Sequence, residues 1–146
     1  MELRHDTVKV HTGHQEISTQ GRGEMIDITP LVASHIDASL VQEGTVTVFV
    51  PGATAGLTTI EFEDGLVHDF SYLWERLVPE NDNYAHNARW GDGNGHSHVR
   101  ASLLGPSLVI PVTKGRLTLG TWQQIILIDF DNRPRKRRFV CQIMGI

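Results

Sequence analysis

His86, His96 and His98 fall within thirteen positions of one another, in or beside the segment Trp90-Gly-Asp92-Gly-Asn94-Gly-His96-Ser-His98. Neutral imidazole is a common ligand for zinc and other transition metals. The glycines allow tight turns or a close approach of backbone to a ligand. A polar, histidine-bearing loop of this length is unusual in a small domain, and such loops often carry function. We read the stretch as a metal or phosphate site. Spacing puts a condition on the metal. On a helix, residues two apart point to nearly opposite sides, whereas in an extended segment they share a face. A site for a divalent ion, zinc or magnesium, built from all three histidines therefore requires His96 to precede the helix expected from about Ser97 to Leu104. Otherwise one histidine caps or packs and the other faces solvent. His5, His11, His14, His35 and His68 read as scattered surface residues.

Carboxylates form a second set. Glu61, Glu63 and Asp64 close an expected strand, and Asp69 lies in the helix after it. A strand puts Glu61 and Glu63 on one face, where Glu61 is a candidate general base or further metal ligand. Glu63 reads as a solvated strand end, and Asp92 as a turn former. The run Arg133, Arg135, Lys136, Arg137, Arg138 is the third set. A strand sends Arg135 and Arg137 to one face and Lys136 and Arg138 to the other. One pair is a candidate phosphate holder, since arginine matches phosphate geometry, and Arg135 is assigned to substrate binding. A solvated run is the bland alternative. Thr54, Thr58 and Thr59, near Gly52 and Gly56, offer donors to an oxyanion, or simply make a good strand. Trp122 and Gln123 suit stacking on, and hydrogen bonding to, a flat heterocycle. A buried tryptophan is the commoner role. Cys141 lies in an apolar strand with no base nearby in sequence and reads as packing.

The elements that must position these groups follow from periodicity and turn residues. Val8, Val10 and the run Gln15–Thr19 suit an opening pair of half-buried strands, broken by Gly21-Arg22-Gly23. A helix starts at Thr29 as cap with Pro30 at its first position, buries Val32, Ile36 and Leu40, and can end at Gly44. Strands are expected at 45–50 and 57–62. A second helix over about 67–77 presents Phe70, Leu73, Trp74 and Leu77 to the core. The polar segment 80–95 is expected to be irregular. Three strands finish the chain, at 107–112, 116–129 with a break near Gly120, and 135–143. Short turns between consecutive strands imply an α+β fold of antiparallel sandwich or barrel-like sheets with two or three helices, in one domain over 1–146.

The totals agree. The chain has 146 residues, 40 % of them hydrophobic and 21 % charged, as in one ordinary globular domain. A net charge of −4 argues against a general nucleic-acid binder. One cysteine excludes an internal disulfide framework, which makes the cytoplasm the default setting. No signal peptide or membrane span is expected.

Ser107-x-x-Ile110-x-Val112-x-x-Gly115, followed after four residues by Gly120-Thr121-Trp122-Gln123-x-Ile125, resembles the signature of the YjbQ family. Tyr84-x-His86 and Asn94-Gly-His96-Ser-His98 also match that pattern, and the similarity runs through nearly the whole chain. The resemblance implies a compact β-rich fold assembled as a homotrimer. It further implies secondary thiamine-phosphate synthase activity, in which a pyrimidine diphosphate joins a thiazole phosphate and pyrophosphate is released. His86, Asn94, His96, His98, Glu61, Asp69, Gly120, Trp122 and Gln123 carry over by position. Their roles are our inference: His86, His96 and His98 as metal ligands; Glu61, Asp69, Asn94 and Gln123 as catalytic groups; Thr54, Gly120, Trp122 and Arg135 as substrate contacts. Two departures stand out. Gly52-Ala53-Thr54 occupies the place where many members have His-Thr-Thr or His-Thr-Ser, and Ile60 and Phe62 replace the asparagines of Asn-Glu-Asn.

The resulting expectation is a metal-dependent enzyme acting on a small phosphorylated heterocycle. A non-catalytic module binding the same kind of metabolite, or a metal-dependent phosphate hydrolase, are the alternatives.

Overall fold

Between Arg135 and Gly145 the residues alternate, and in the computed structural model, which describes residues 6–146, this stretch is an interior strand of the larger sheet, paired on both sides. Phe139, Cys141 and Ile143 point inward and are fully buried, while Arg138 and Gln142 face out. The chain runs β1 (Lys9–Thr19), β2 (Glu24–Asp27), α1 (Thr29–Ser39), β3 (Gly44–Phe49), β4 (Ala55–Ile60), α2 (Asp64–Leu77), α3 (Ala85–Trp90), α4 (Gly95–Leu104), β5 (Ser107–Thr113), β6 (Arg116–Leu117), β7 (Gln124–Asp129) and β8 (Arg135–Gly145). One sheet has the order β1-β8-β3-β5-β6 and the other β2-β7-β4, and every pairing is antiparallel. The expected α+β architecture is present, with four helices rather than two or three.

The apolar run Ile125-Ile126-Leu127-Ile128 shows why the sheets stack as they do. A strand alternates its side chains between two faces, so an unbroken apolar run needs both faces covered. Ile125 and Leu127 join the main core with Val46, Val48, Phe139 and α1 residues Val32 and Ile36. Ile126 and Ile128 enter a smaller cluster with Trp74 of α2, Ala101 of α4 and Phe130. The three-stranded sheet thus lies between the five-stranded sheet and the helices α2 and α4.

Several local expectations are corrected. The opening pair of strands is the single strand β1, and the next strand, β2, follows the Gly21-Arg22-Gly23 turn. Thr29 does not cap α1; its hydroxyl accepts from the Ile125 N–H at 2.8 Å, tying the helix start to β7. The helix ends at Ser39, with Leu40 left-handed and exposed, before Gly44 is reached. Glu63 caps α2, accepting from the Gly65 and Leu66 N–H groups, so it is not a mere solvated strand end. On α2 only Trp74 is buried; Leu73 and Leu77 are 41 % and 62 % exposed, so they are not core. The segment 80–95 holds the short helix α3. The expected strand 116–129 divides into β6 and β7, which belong to different sheets.

One charged pair joins the two sheets. Arg137 of β8 donates from Nε to Asp129 Oδ2 at 2.7 Å and from Nη2 to Asp129 Oδ1 at 2.8 Å. Asp129 ends β7 and is fully buried. Removing one partner of such a pair strands a charge in a dry site, which costs far more than replacing both partners together. Asp129→Ala is expected to lower the unfolding free energy by about 3–5 kcal/mol in urea denaturation. A loss under about 1 kcal/mol would mean that the pair does not hold the sheets together.

Candidate functional site

The glycines between α3 and α4 are spent on turning the chain. Gly91 is left-handed and closes α3, and Gly93 is left-handed in the connection. Gly95 packs against Tyr84, where a Cβ would stand 2.6 Å from the tyrosine Cβ. Asn94 precedes α4, and its Oδ1 accepts from the Asn132 N–H at 3.1 Å. Ser97 Oγ lies 2.6 Å from that same oxygen and 2.5 Å from the Phe130 carbonyl. The Asn132 side chain donates to the Asp92 carbonyl at 2.7 Å. Asn94 is therefore a buried structural knot between the glycine turn and the β7–β8 connection.

This turn brings α3 against α4 and sets the His86 and His98 rings 4.4 Å apart, inclined at 39°. Asp92 lies behind them, with Oδ1 3.3 Å from His86 Nδ1. That is ion-pair distance without hydrogen-bond alignment, since Nδ1 is buried without a hydrogen-bond partner. His98 then opens onto a depression of about 310 Å³, lined by Gly52, Ala53, Ala55, Ala101, Ser102 and Pro106 as well. The helix begins at Gly95, so His96 lies inside it and points away from His98. The condition for a three-histidine site is not met by this arrangement. His96 is 2 % exposed, with its ring 6.5 Å from that of Tyr84. Burial, reinforced by the nearby Arg100, lowers its pKa below the ordinary 6.5 and keeps it neutral. Among the described residues no three His, Cys, Asp or Glu side chains converge as a ready metal cage.

Arg135 and Arg137 share a face, as the strand period requires, and that face looks inward. Arg135 donates to Asp131 Oδ2 from Nε at 3.1 Å and from Nη2 at 2.9 Å. The Thr54 hydroxyl donates to Asp131 at 2.9 Å and accepts from Arg137 Nη2 at 2.6 Å. Burial pushes the Asp131 carboxyl up, but the hydrogen bonds from Thr54 and Arg135 outweigh it and hold the group below the ordinary carboxylate range. Thr54 and Arg135 thus serve an internal network. Of its buried members, Arg137 was named in the sequence only as part of the arginine run, and Asp129 and Asp131 were not singled out. The repeated spacing of two, Asp129-x-Asp131 facing Arg135-x-Arg137, was the available signal.

The remaining candidates stand elsewhere. Gln123 accepts from the Gly120 N–H at 2.9 Å and donates to Thr59 Oγ1 at 3.3 Å. Thr59 is at the far end of β4, whereas Gly52, Ala53 and Ala55 are at its start; six strand residues span about 16–20 Å. Trp122 is 71 % exposed, so it is not the buried tryptophan weighed as its alternative role. Glu61 is exposed, and Asp69 lies 3.7 Å from His68 on the surface of α2. Cys141 is buried packing, as expected, and burial pushes its thiol up to about 11. Arg100, of no evident weight in the sequence, locks α4 to the end of α2 by donating to the Val78 carbonyl and to Glu75, each at 2.9 Å.

Residues 13–146 match the family model described as UPF0047 protein YjbQ-like. A UPF0047 protein of Methanocaldococcus jannaschii is 40 % identical over 131 residues, covering 89 % of this chain and 91 % of that protein. One from Archaeoglobus fulgidus is 39 % identical over 128 residues, covering 88 % and 97 %. The crystal structure of a YbjQ-like protein of unknown function from Sulfolobus solfataricus P2 superposes with a TM-score of 0.91 at 31 % identity, covering 96 % of this chain and all of that one.

The buried, neutral His96 carries a pH dependence. A base whose pKa is lower folded than unfolded contributes stability that is present above the unfolded value and lost as pH falls toward the folded one. Stability is expected to decline as pH drops below about 6.5, and His96→Gln to flatten that part of the curve. Urea midpoints measured between pH 7 and pH 5 test this; an unchanged slope in the variant would refute it.

Proposed function

The chain belongs to the YjbQ-like UPF0047 family, and from that premise we propose that it is a metal-dependent enzyme acting on a small phosphorylated heterocycle at the His86–His98 pair. The contact between these two rings carries the reading. A metal-ligating histidine commonly turns its second nitrogen to a carboxylate, which fixes the ring and raises its basicity. His86 with Asp92 behind Nδ1 fits that pattern, leaving Nε2 for an ion, and the buried, unpartnered state of Nδ1 is consistent with a ring awaiting alignment. Two imidazoles favour zinc over magnesium, which prefers oxygen ligands. When bound, the ion would supply charge stabilisation for a leaving phosphate or pyrophosphate. His86, His98 and Asp92 would hold and orient it, and Ser102 with the Gly52–Ala53 turn would shape the space beside it. The reaction we favour is of the thiamine-phosphate synthase type, joining a pyrimidine diphosphate to a thiazole phosphate.

A homotrimer in the cytoplasm completes the proposal. Exposed Phe62, Leu73, Leu77, Val109 and Trp122 support burial against further copies. The single, buried cysteine suits a reducing compartment. Among the described residues no helix is long and apolar enough to cross a membrane.

One observation favours a second reading, a module that binds such a metabolite without turnover. Gly52 lines the same depression as His98, so the histidine that many resembling sequences carry at this place is missing from the site itself.

Zinc titration of the chelator-treated protein is expected to show one ion per chain. Asp92→Asn should weaken it about 10–100-fold and His98→Ala further still. Zinc uptake below one ion per chain and insensitive to His98→Ala would sink the metal reading. Chromatography of mixtures with the two thiamine precursors separates the enzyme from the module: product supports the first, saturable binding without product the second.

A further inference from the structure

Arginine has five N–H donors in a fixed planar fork. In Arg137 three are used: Nε and one Nη2 hydrogen on Asp129, and the second Nη2 hydrogen on Thr54 Oγ1. Nη1 makes no hydrogen bond to any described residue. It is also absent from the sealed, unpartnered side-chain atoms, which among those residues are Trp74 Nε1, His86 Nδ1 and His96 Nδ1. The side chain is only 10 % exposed, so a nine-tenths buried guanidinium keeps two donors without a protein partner among the described residues. Arg137 itself is not among the residues lining the depression beside His98, but Gly52, which lines it, stands against Nη1. A Cβ there would stand 2.9 Å from Nη1, so a larger residue would crowd the nitrogen. Gly52 is not among the left-handed glycines of the chain, so the turn does not require glycine for its backbone. The missing side chain serves space, not conformation.

We propose that Gly52 opens an oxyanion subsite at the edge of the depression beside His98 and Ser102, where Arg137 Nη1, which stands behind Gly52 and not in the depression's own lining, holds a phosphate group of a ligand seated there. The inference rests on the reading of that depression as a substrate site, and it names which group of the substrate is held and by what. The rigid pairing with Asp129 fixes the guanidinium plane before any ligand arrives, so little freedom is lost on binding. Asp129 also offsets much of its charge, so the subsite works through charge-assisted hydrogen bonds rather than through net attraction alone. Lys136, Arg133 and Arg138 are exposed nearby in sequence and leave the segment with more cations than carboxylates, even with Glu16 opposite Arg138. A space of about 310 Å³ suits the phosphate ester of one small ring. Arg135, the residue the sequence suggested for this role, is bonded to Asp131 instead.

Arg137 itself is a poor test, because its loss would disturb the sheets. Gly52→Ala keeps both partners of the Asp129 pair and puts a methyl 2.9 Å from Nη1, so that nitrogen is crowded and must give way slightly; Gly52→Asp adds a carboxylate that competes for it. The probe is inorganic phosphate, titrated by calorimetry into zinc-stripped protein. Wild type is expected to bind one phosphate per chain saturably, Gly52→Ala to bind at least tenfold more weakly, and Gly52→Asp to show no binding. Circular dichroism and zinc affinity should stay at wild-type values in Gly52→Ala. Absence of saturable phosphate binding in the wild type, or equal binding in Gly52→Ala, would overturn the subsite. Phosphate binding that survives without any zinc binding would remove the metal and keep the subsite, whereas zinc binding without phosphate would do the reverse.

Discussion

A guanidinium buried against a carboxylate, Arg137 on Asp129, is the contact on which the rest of this structure turns. Neither charge is tolerable alone in a dry interior, and each is satisfied only when β8 and β7 meet at one register. Because these strands belong to different sheets, the pair fixes how the two sheets close on each other. Thr19 of β1 and Thr54 before β4 add hydroxyls to the same carboxylate–guanidinium group, so four segments distant in sequence converge on one corner. A hydrophobic core alone gives closure without such a directional constraint.

The corner also decides where chemistry is placed. Phe130 and Asn132, in the connection from β7 to β8, receive Ser97 and Asn94 at the start of α4. This anchors the glycine turn from below, and α3 folds back across it. His86 and His98 meet because α3 and α4 are both short and both held at that turn. His96, two positions earlier on the same helix, is rotated into the core against Tyr84 and Arg100. One anchored helix thus divides two neighbouring histidines between structure and surface.

The sheet strands were legible because their signals are intrinsic: alternation in β8, a doubly buried apolar run in β7, β-branched residues in β3. The start of α1 was legible from Pro30, although Thr29 gave its hydroxyl to Ile125 rather than to its own helix. The helix α3 was not legible. Ala85–Trp90 is six residues with no buried member, and tertiary pairing with α4 stabilises what propensity would not. Leu73 and Leu77 have helical spacing, yet the sheet offers room for Trp74 and Phe70 only. Among the site candidates, the likeness of His86 and His98 was readable and their meeting was not, since it depends on two helix boundaries placed to within a residue. The arginine run was read correctly as two faces. Which arginine keeps a donor to spare depended on Gly52, far away in sequence.

The geometry restricts what chemistry one chain can do. At the depression the titratable groups are His98 with its neighbour His86, and Asp92, beside His86, accepts from the Asn94 N–H. Glu61 and Asp69, the carboxylates otherwise suited to remove a proton, lie beyond the opposite end of β4 and its following turn. Glu61 and Asp69 therefore do not reach the depression within one chain. The leaving-group chemistry we propose asks less of the chain, because oriented donors cost nothing to reorganise as charge develops. Arg137 is fixed by Asp129, and the His86–His98 pair is fixed by the glycine turn. The same constraint that closes the sheets thereby also holds Arg137 in place behind the Gly52 edge of the depression.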